Sequence, residues 1–263
     1  MGNKNIDGNT FFCIYVLVFV FILGTVLASF MNCIADRYSK KEKWWVGRSK
    51  CDTCEHTLSF LDLMPVISYI SLKGRCRYCD TKLSKQYVLT EISLGILFVI
   101  FVITQGYIDL ELINELGLVT LLFGLSLCDL KTYEIPDGFI IFGILWWLIF
   151  NLMQGYSLQY YISYLIGALI ISGGVLVISL CMSKLLNKDA MGGGDIKLLF
   201  LVTLYLGLFE SIFNLMLSCI IGLFFIIFMR KEKIPFGPAI SLATYISLIY
   251  GVNFLVWYTG LLV

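Results

Sequence analysis

Met191-Gly-Gly-Gly-Asp-Ile-Lys197 leads directly into Leu198-Leu-Phe-Leu-Val202, and Ser126-Leu-Cys-Asp-Leu-Lys-Thr-Tyr-Glu-Ile-Pro-Asp137 closes one apolar run and opens the next. Each stretch sets an aspartate, Asp195 or Asp129, at the margin of a segment suited to hydrocarbon. A carboxylate in or beside a membrane span is expensive, and by default it marks function. Two of them on separate segments form an acid/base pair if the segments meet. The fold is therefore read as a set of apolar helices whose margins hold the chemistry.

Composition agrees. Of the 263 residues, 59% are hydrophobic and 14% charged, with a mean hydropathy of +0.88. That balance belongs to a polytopic membrane protein and excludes a soluble globule. A helix needs about 20 apolar residues to cross a bilayer, so the expected spans are 10–35, 87–106, 113–131, 138–154, 158–182, 196–209, 212–229 and 238–259. The fold class is all-α, with about eight transmembrane helices, the fourth and sixth short. The first apolar run is too long for the core of a secretory signal and is preceded by no base except Lys4, so it reads as a retained helix. Three regions follow: a first helix at 1–35, a polar loop at 36–86, and a seven-helix membrane domain at 87–263.

The loop holds Arg37, Lys40, Lys41, Lys43, Arg48, Lys50, Lys73, Arg75, Arg77, Lys82 and Lys85, more than half of the chain's 19 basic residues. The positive-inside rule places it in the cytoplasm. Eight spans then put Lys131, Lys184, Lys188, Arg230, Lys231 and Lys233 on the same side, and leave Ile108-Asp-Leu-Glu-Leu-Ile-Asn-Glu115, which carries acids only, outside. Asp129 and Asp195 both fall at the cytoplasmic margin.

Two adjacent carboxylates cannot both ionise easily, so one stays protonated while the other acts as base. Such a pair activates water for attack on a peptide carbonyl. Gly192, Gly193 and Gly194 carry no side chain, which lets extended substrate lie beside Asp195. Plainer roles compete. Asp137, after Pro136, is placed to cap a helix, and Asp195 could do the same. Asp129 ends a helix, where the dipole disfavours an anion, and is harder to explain that way. Lys197 either tunes Asp195 or snorkels to the interface.

Cys51-x2-Cys54 and Cys76-x2-Cys79 match the spacing of a closed, tetrahedral Zn²⁺ site. Disulfides are disfavoured in the cytoplasm, and no thioredoxin-like pattern surrounds either pair. The zinc is expected to be structural, stabilising a loop with little apolar core. Cys13, Cys33, Cys128, Cys181 and Cys219 lie in or beside spans and read as small buried hydrophobes. His56 reads as a solvated loop residue, and Trp44 and Trp45 as interfacial anchors.

Taken in order, these motifs resemble the type IV prepilin peptidases, which belong to the GxGD aspartyl proteases. Gly192-Gly-Gly-Asp195 fits G-x-G-D, with Lys197 at the family's lysine, and Ser126 to Asp137 fits the segment of the other catalytic aspartate. Ala28-Ser-Phe-Met-Asn32 followed by Arg37 is similar to the family's G-S-F-x-N…R, with Ala28 in place of glycine. Pro65-Val-Ile-Ser-Tyr69, Gly74-Arg-Cys76, Glu91 and Pro235-Phe-Gly-Pro238 fit as well, whereas Asp52 stands where the family often has proline. The resemblance implies a multi-pass enzyme of the cell inner membrane with catalytic Asp129 and Asp195 at the cytoplasmic face. Gly192, Gly193, Gly194, Lys197, Pro235, Phe236, Gly237 and Pro238 become substrate-channel candidates. It implies cleavage of prepilin or pseudopilin leaders after glycine, then N-methylation of the new terminus with S-adenosylmethionine. Membrane lipid is an expected partner and nucleic acid is not. The residues themselves reach only the protease, since no glycine-rich nucleotide-binding signal is visible. A protease-only enzyme and an ion-coupled transporter are the alternatives.

Overall fold

The computed structural model describes residues 10–43, 47–187, 191–229 and 234–261. Lys4, Trp44, Trp45, Lys188, Arg230, Lys231 and Lys233 lie outside the described residues. Among those described, regular structure is helical apart from two isolated β-bridges. Among the described residues, seven helices are long and apolar enough to cross a membrane, which makes this a multi-pass membrane protein. The chain divides into two compact units, Met1–Ile108 and Asp109–Val263.

In the first unit, α1 (Thr10–Ser39) packs against α3 (Lys85–Gln105). Glycine meets glycine at the crossing: a Cβ on Gly24 would lie 2.9 Å from the Gly95 Cα. Small residues are what allow membrane helices so close. Ala28, Ala35, Leu94 and Phe98 are buried in this unit. Ser84 starts α3 by accepting from the Gln86 N–H at 3.2 Å, and Gly106 ends it at φ 70°. Residues 40–84 form a lobe containing a 3₁₀ turn, Phe60–Leu63, and the short α2 (Ile67–Ser71).

The second unit contains α4 (Leu110–Thr132), α5 (Asp137–Gln154), α6 (Leu158–Leu186), α7 (Gly193–Met229) and α8 (Gly237–Leu261). Asp109 caps α4 by accepting from the Leu112 N–H at 2.9 Å. Successive helices run antiparallel. Gly117, early in α4, abuts Trp146, late in α5, and Trp147 meets Tyr160 and Tyr164, early in α6. Leu118, Leu125, Leu198, Leu201, Val202 and Ile240 form the buried centre, while Leu165, Leu169, Ile170 and Val177 of α6 are exposed, an apolar face fit for lipid.

The helix count differs from the eight expected spans, and α7 is the reason. It is a single run of 37 residues that covers both 196–209 and 212–229. Straight, it would reach about 55 Å, far more than a bilayer's hydrocarbon. At Gly207, however, the backbone takes φ 77° and ψ 178°, a region open essentially to glycine alone. Neighbours show that the chain reverses there. Before it, Gly194 abuts Ile135 and Leu201 abuts Gly143, so α7 runs alongside α5. After it, Glu210 meets Gly251, Asn214 Nδ2 donates to Thr244 Oγ1 at 3.0 Å, and Gly222 meets Phe236, so α7 returns along α8. Seven helices thus make eight crossings. In this unit Lys131, Lys184 and Lys197 fall at the end that holds Asp129 and Asp195, and Asp109, Glu111, Glu115 and Glu210 at the other.

Candidate active site

Asp129 lies in the last turn of α4, where its carbonyl accepts the Tyr133 N–H at 2.9 Å. It is only 4% exposed. Its Oδ2 accepts the backbone N–H of Gly237, the first residue of α8, at 2.8 Å. A Cβ at 237 would stand 2.6 Å from that oxygen, so only glycine brings the amide this near. The Pro235–Pro238 segment therefore does more than line a channel: it presents a donor to Asp129. Pro235 is buried and the Phe236 ring packs on Gly222.

Asp195 sits in the first turn of α7, where the helix dipole favours an anion. Its N–H donates to the Gly192 carbonyl at 3.1 Å. A Cβ at 194 would come 2.9 Å from the Ile135 Cβ, so this glycine seats α7 against the connection that follows Asp129. Gly192 and Gly193 are exposed, and no neighbour crowds Gly193. Asp195 is half-buried, at the same end of the bundle as Asp129.

The capping role expected of Asp137 does not hold. Pro136 takes the cap position, Asp137 is the first residue of α5, and its side chain makes no capping bond. Its Oδ1 instead accepts from Lys197 Nζ at 2.7 Å. The lysine's partner is thus Asp137, in an exposed ion pair joining the start of α5 to the start of α7.

In the first unit, the Sγ atoms of Cys51, Cys54, Cys76 and Cys79 all lie within 4.8 Å of one another. Cys51 and Cys79 are 3.8 Å apart, the edge of a tetrahedron whose Zn–S bonds are about 2.3 Å. The two Cys-x2-Cys turns are built alike. Glu55 and Asp80 each take positive φ, and their N–H groups return to the Cys51 and Cys76 carbonyls at 2.9 and 3.0 Å. The Cys51 and Cys76 N–H groups donate to His56 and Thr81 at 3.0 and 2.9 Å, and the bridges Lys50↔Thr57 and Arg75↔Lys82 close each turn. The backbone amides of Cys54 and Thr53 draw the Cys51 thiol down, and the Thr81 hydroxyl and amide draw Cys79 down to about 6. Against the His56 amide, burial and the Cys79 and Cys51 thiols push Cys54 up to about 11, so Cys51 and Cys79 are the positions that favour the thiolate a metal needs. His56 is exposed and stacks on Tyr78 at 3.7 Å, outside the cluster.

Several supports were not legible in the sequence. Asp62, with a side chain 4% exposed, accepts from the Ser59 N–H at 3.0 Å, the Ser59 hydroxyl at 2.6 Å, Arg77 Nε at 2.8 Å and the Tyr78 hydroxyl at 3.2 Å. Asp52, at the family's proline position, pairs with Lys40 at 2.6 Å. Where α1 and α3 meet the lobe, Asn32 Nδ2 donates to Thr90 Oγ1 at 2.8 Å, and Glu91 Oε2 accepts the Val66 N–H at 2.8 Å. Arg37 donates to the Gly47 carbonyl at 2.8 Å.

Fold and site together define a polytopic helical membrane protein with paired carboxylates at one end of a bundle and a four-thiol cluster in its other unit. The chain belongs to the type IV leader peptidase family, which matches residues 116–227, and residues 22–105 match the bacterial peptidase A24 N-terminal domain. The gap between the two matches contains the division at Ile108–Asp109. Among its relatives are the prepilin leader peptidase/N-methyltransferases of Aeromonas salmonicida (strain A449), Neisseria gonorrhoeae and Bacillus subtilis (strain 168). The first is 34% identical over 81% of this chain and 75% of the relative. The second is 29% identical over 90% of each, and the third 26% over 92% and 98%. No solved structure matches the chain.

Proposed function

We propose that this enzyme is a membrane aspartyl endopeptidase that removes the basic leader of type IV prepilins and pseudopilins after glycine, and then methylates the new N-terminal residue. Asp129 and Asp195 are its catalytic pair. The observation that carries this is a buried carboxylate, Asp129, with one oxygen fixed by the Gly237 amide, at the end of the bundle where Gly194 seats the helix of Asp195 against the segment that follows Asp129. Two like charges so placed share a proton. The ionised carboxyl takes a proton from water as the water oxygen bonds to the scissile carbonyl carbon. The protonated one gives its proton to the departing nitrogen as the C–N bond breaks. Lys131, Lys184 and Lys197 at this end of the unit support placing it at the cytoplasmic face of the inner membrane, with lipid around the bundle.

The four thiols fit one zinc ion. With every ligand position taken by sulfur the site is closed, so the metal would tie the two turns together and leave no position for a catalytic water. S-adenosylmethionine would supply the methyl group. The lobe's junction with α1 and α3 offers polar groups suited to a cationic sulfonium: Asn32 Oδ1 is buried without a partner, and Glu91 is buried beside Thr90.

The test is intact mass spectrometry after the purified enzyme, in detergent, meets a synthetic prepilin and S-adenosylmethionine. A leader-sized loss followed by a methyl-sized gain is expected. Loss without gain marks a protease-only enzyme. Neither change, from a folded and zinc-loaded chain, refutes the assignment.

A further inference from the structure

At the end of the second unit remote from Asp129 and Asp195, the helices leave a cavity of about 30 Å³. Glu111, Asn114 and Glu115 line it from one face of α4, at the i, i+3, i+4 spacing that brings side chains together. Asn151 and Gln154 line it from the last turn of α5. Each offers an oxygen donor, and no described Lys or Arg borders the space.

Two of these donors have nothing to bind. Asn114 is 6% exposed and its Oδ1 has no hydrogen-bond partner, and Glu115 Oε2 is buried and equally unpartnered. A buried acceptor without a donor is costly and rare, and it calls for an explanation. A water could donate to both acceptors, but it would leave the Glu111 and Glu115 carboxylates without a counter-charge. A cation satisfies the acceptors and supplies the charge together. About 10–15 Å³ holds one water-sized occupant, so this cavity takes an ion with one or two waters. An oxygen-only set that mixes carboxylates with amide carbonyls suits a hard cation. A set of carboxylate and amide oxygens drawn from two helices suits calcium, whose coordination is flexible, over magnesium, which demands an octahedron.

The geometry points to a calcium site held by Glu111, Asn114 and Glu115 of α4 and completed by Asn151 and Gln154 of α5. The ion clamps the two helices together at the end of the bundle opposite the carboxylate pair. The site does not depend on the peptidase reading.

The full chain, purified in detergent, is titrated with Ca²⁺ by calorimetry and with Tb³⁺ by luminescence. Trp147 and Tyr160 line the cavity and would sensitise the lanthanide. About one calcium per chain is expected, with Tb³⁺ emission displaced by Ca²⁺ and not by Mg²⁺, and with calcium raising the unfolding temperature. Glu115→Gln should weaken binding about tenfold or more, since ligand charge sets calcium affinity. The exposed Glu111→Gln reads the same quantity should Glu115→Gln fail to fold. Asp195→Asn should bind calcium like the unaltered chain. Absence of saturable binding, binding unchanged in the glutamate variants, or loss of binding in Asp195→Asn overturns the proposal.

Discussion

Replacing Gly237 by alanine tests how the Pro235–Pro238 segment serves Asp129. The new Cβ would lie 2.6 Å from Asp129 Oδ2, 3.3 Å from its Cγ and 3.4 Å from its Cβ. An ordinary carbon–oxygen contact is about 3.3–3.6 Å, so the carboxylate must withdraw by roughly 0.7–1 Å. Withdrawal also breaks the 2.8 Å bond from the Gly237 amide. A misplacement near 1 Å costs about a hundredfold in rate, equivalent to about 2.7 kcal/mol of transition-state stabilisation. A lost hydrogen bond to a charged group is of the same order, about 1.5–3 kcal/mol. We expect kcat for leader removal to fall about a hundredfold with KM little changed, because Gly237 acts on a catalytic carboxylate. Initial rates come from intact mass, with zinc content and thermal unfolding confirming the fold. A folded Gly237→Ala enzyme within threefold of the full rate would refute the reasoning.

Asp129→Asn and Asp195→Asn should each reduce cleavage to background, whereas Asp137→Asn should stay within about fivefold, since an exposed ion pair such as Asp137–Lys197 is worth about 0.2–1 kcal/mol; substantial cleavage by either of the first two variants counts against the pair. Replacing Cys51 and Cys54 together by serine should abolish zinc content and open the 40–84 lobe to limited proteolysis, because metal binding here is folding energy; a metal-free lobe that stayed resistant would contradict this. Burial alone would raise the Asp62 carboxyl, but Ser59, Tyr78 and Arg77 hold it below its ordinary 3.8. A group lowered on folding stabilises above its ordinary value and loses that contribution as pH falls through the lowered one, so Asp62→Asn should weaken the lobe's protection at neutral pH and flatten its acid-side loss, read by proteolysis across pH. Gly207→Ala places a side chain at φ 77° and should cost about 1–3 kcal/mol, seen as a lower unfolding temperature; an unchanged midpoint would argue against a reversal that requires glycine.

The spans were legible because apolar length is a local property. The thiol cluster was legible because two short spacings encode it. Asp129 and Asp195 stood out because a carboxylate beside an apolar run is conspicuous. What escaped notice lies in contacts between distant segments. Gly237 and Asp129 are 108 positions apart, and only the docking of α8 on α4 turns a glycine into a donor. The sequence places Lys197 two residues from Asp195, yet the fold points it at Asp137. The break between the sixth and seventh spans was expected at 210–211, but the reversal falls at Gly207, where the backbone needs a positive φ that apolar length does not reveal. Asp62 looked like one more loop acid until Ser59, Arg77 and Tyr78 closed around it.

The reversal at Gly207 leaves the Asp195-bearing arm of α7 short. From Gly193 to Leu206 it extends about 21 Å at 1.5 Å per residue, against a hydrocarbon layer of about 30 Å. Its neighbour α5, with 18 residues, reaches about 27 Å. The shortfall is about 9 Å if the arm stands upright, so one or both of its ends, Asp195 and Gly207, must lie inside the hydrocarbon depth. Leu198, Leu199, Leu201, Val202 and Leu204 are buried against the rest of the bundle, so protein and not lipid surrounds the arm. A short crossing at the centre of the bundle thus sets a carboxylate below the level of the headgroups while its neighbours keep acyl chains away from it.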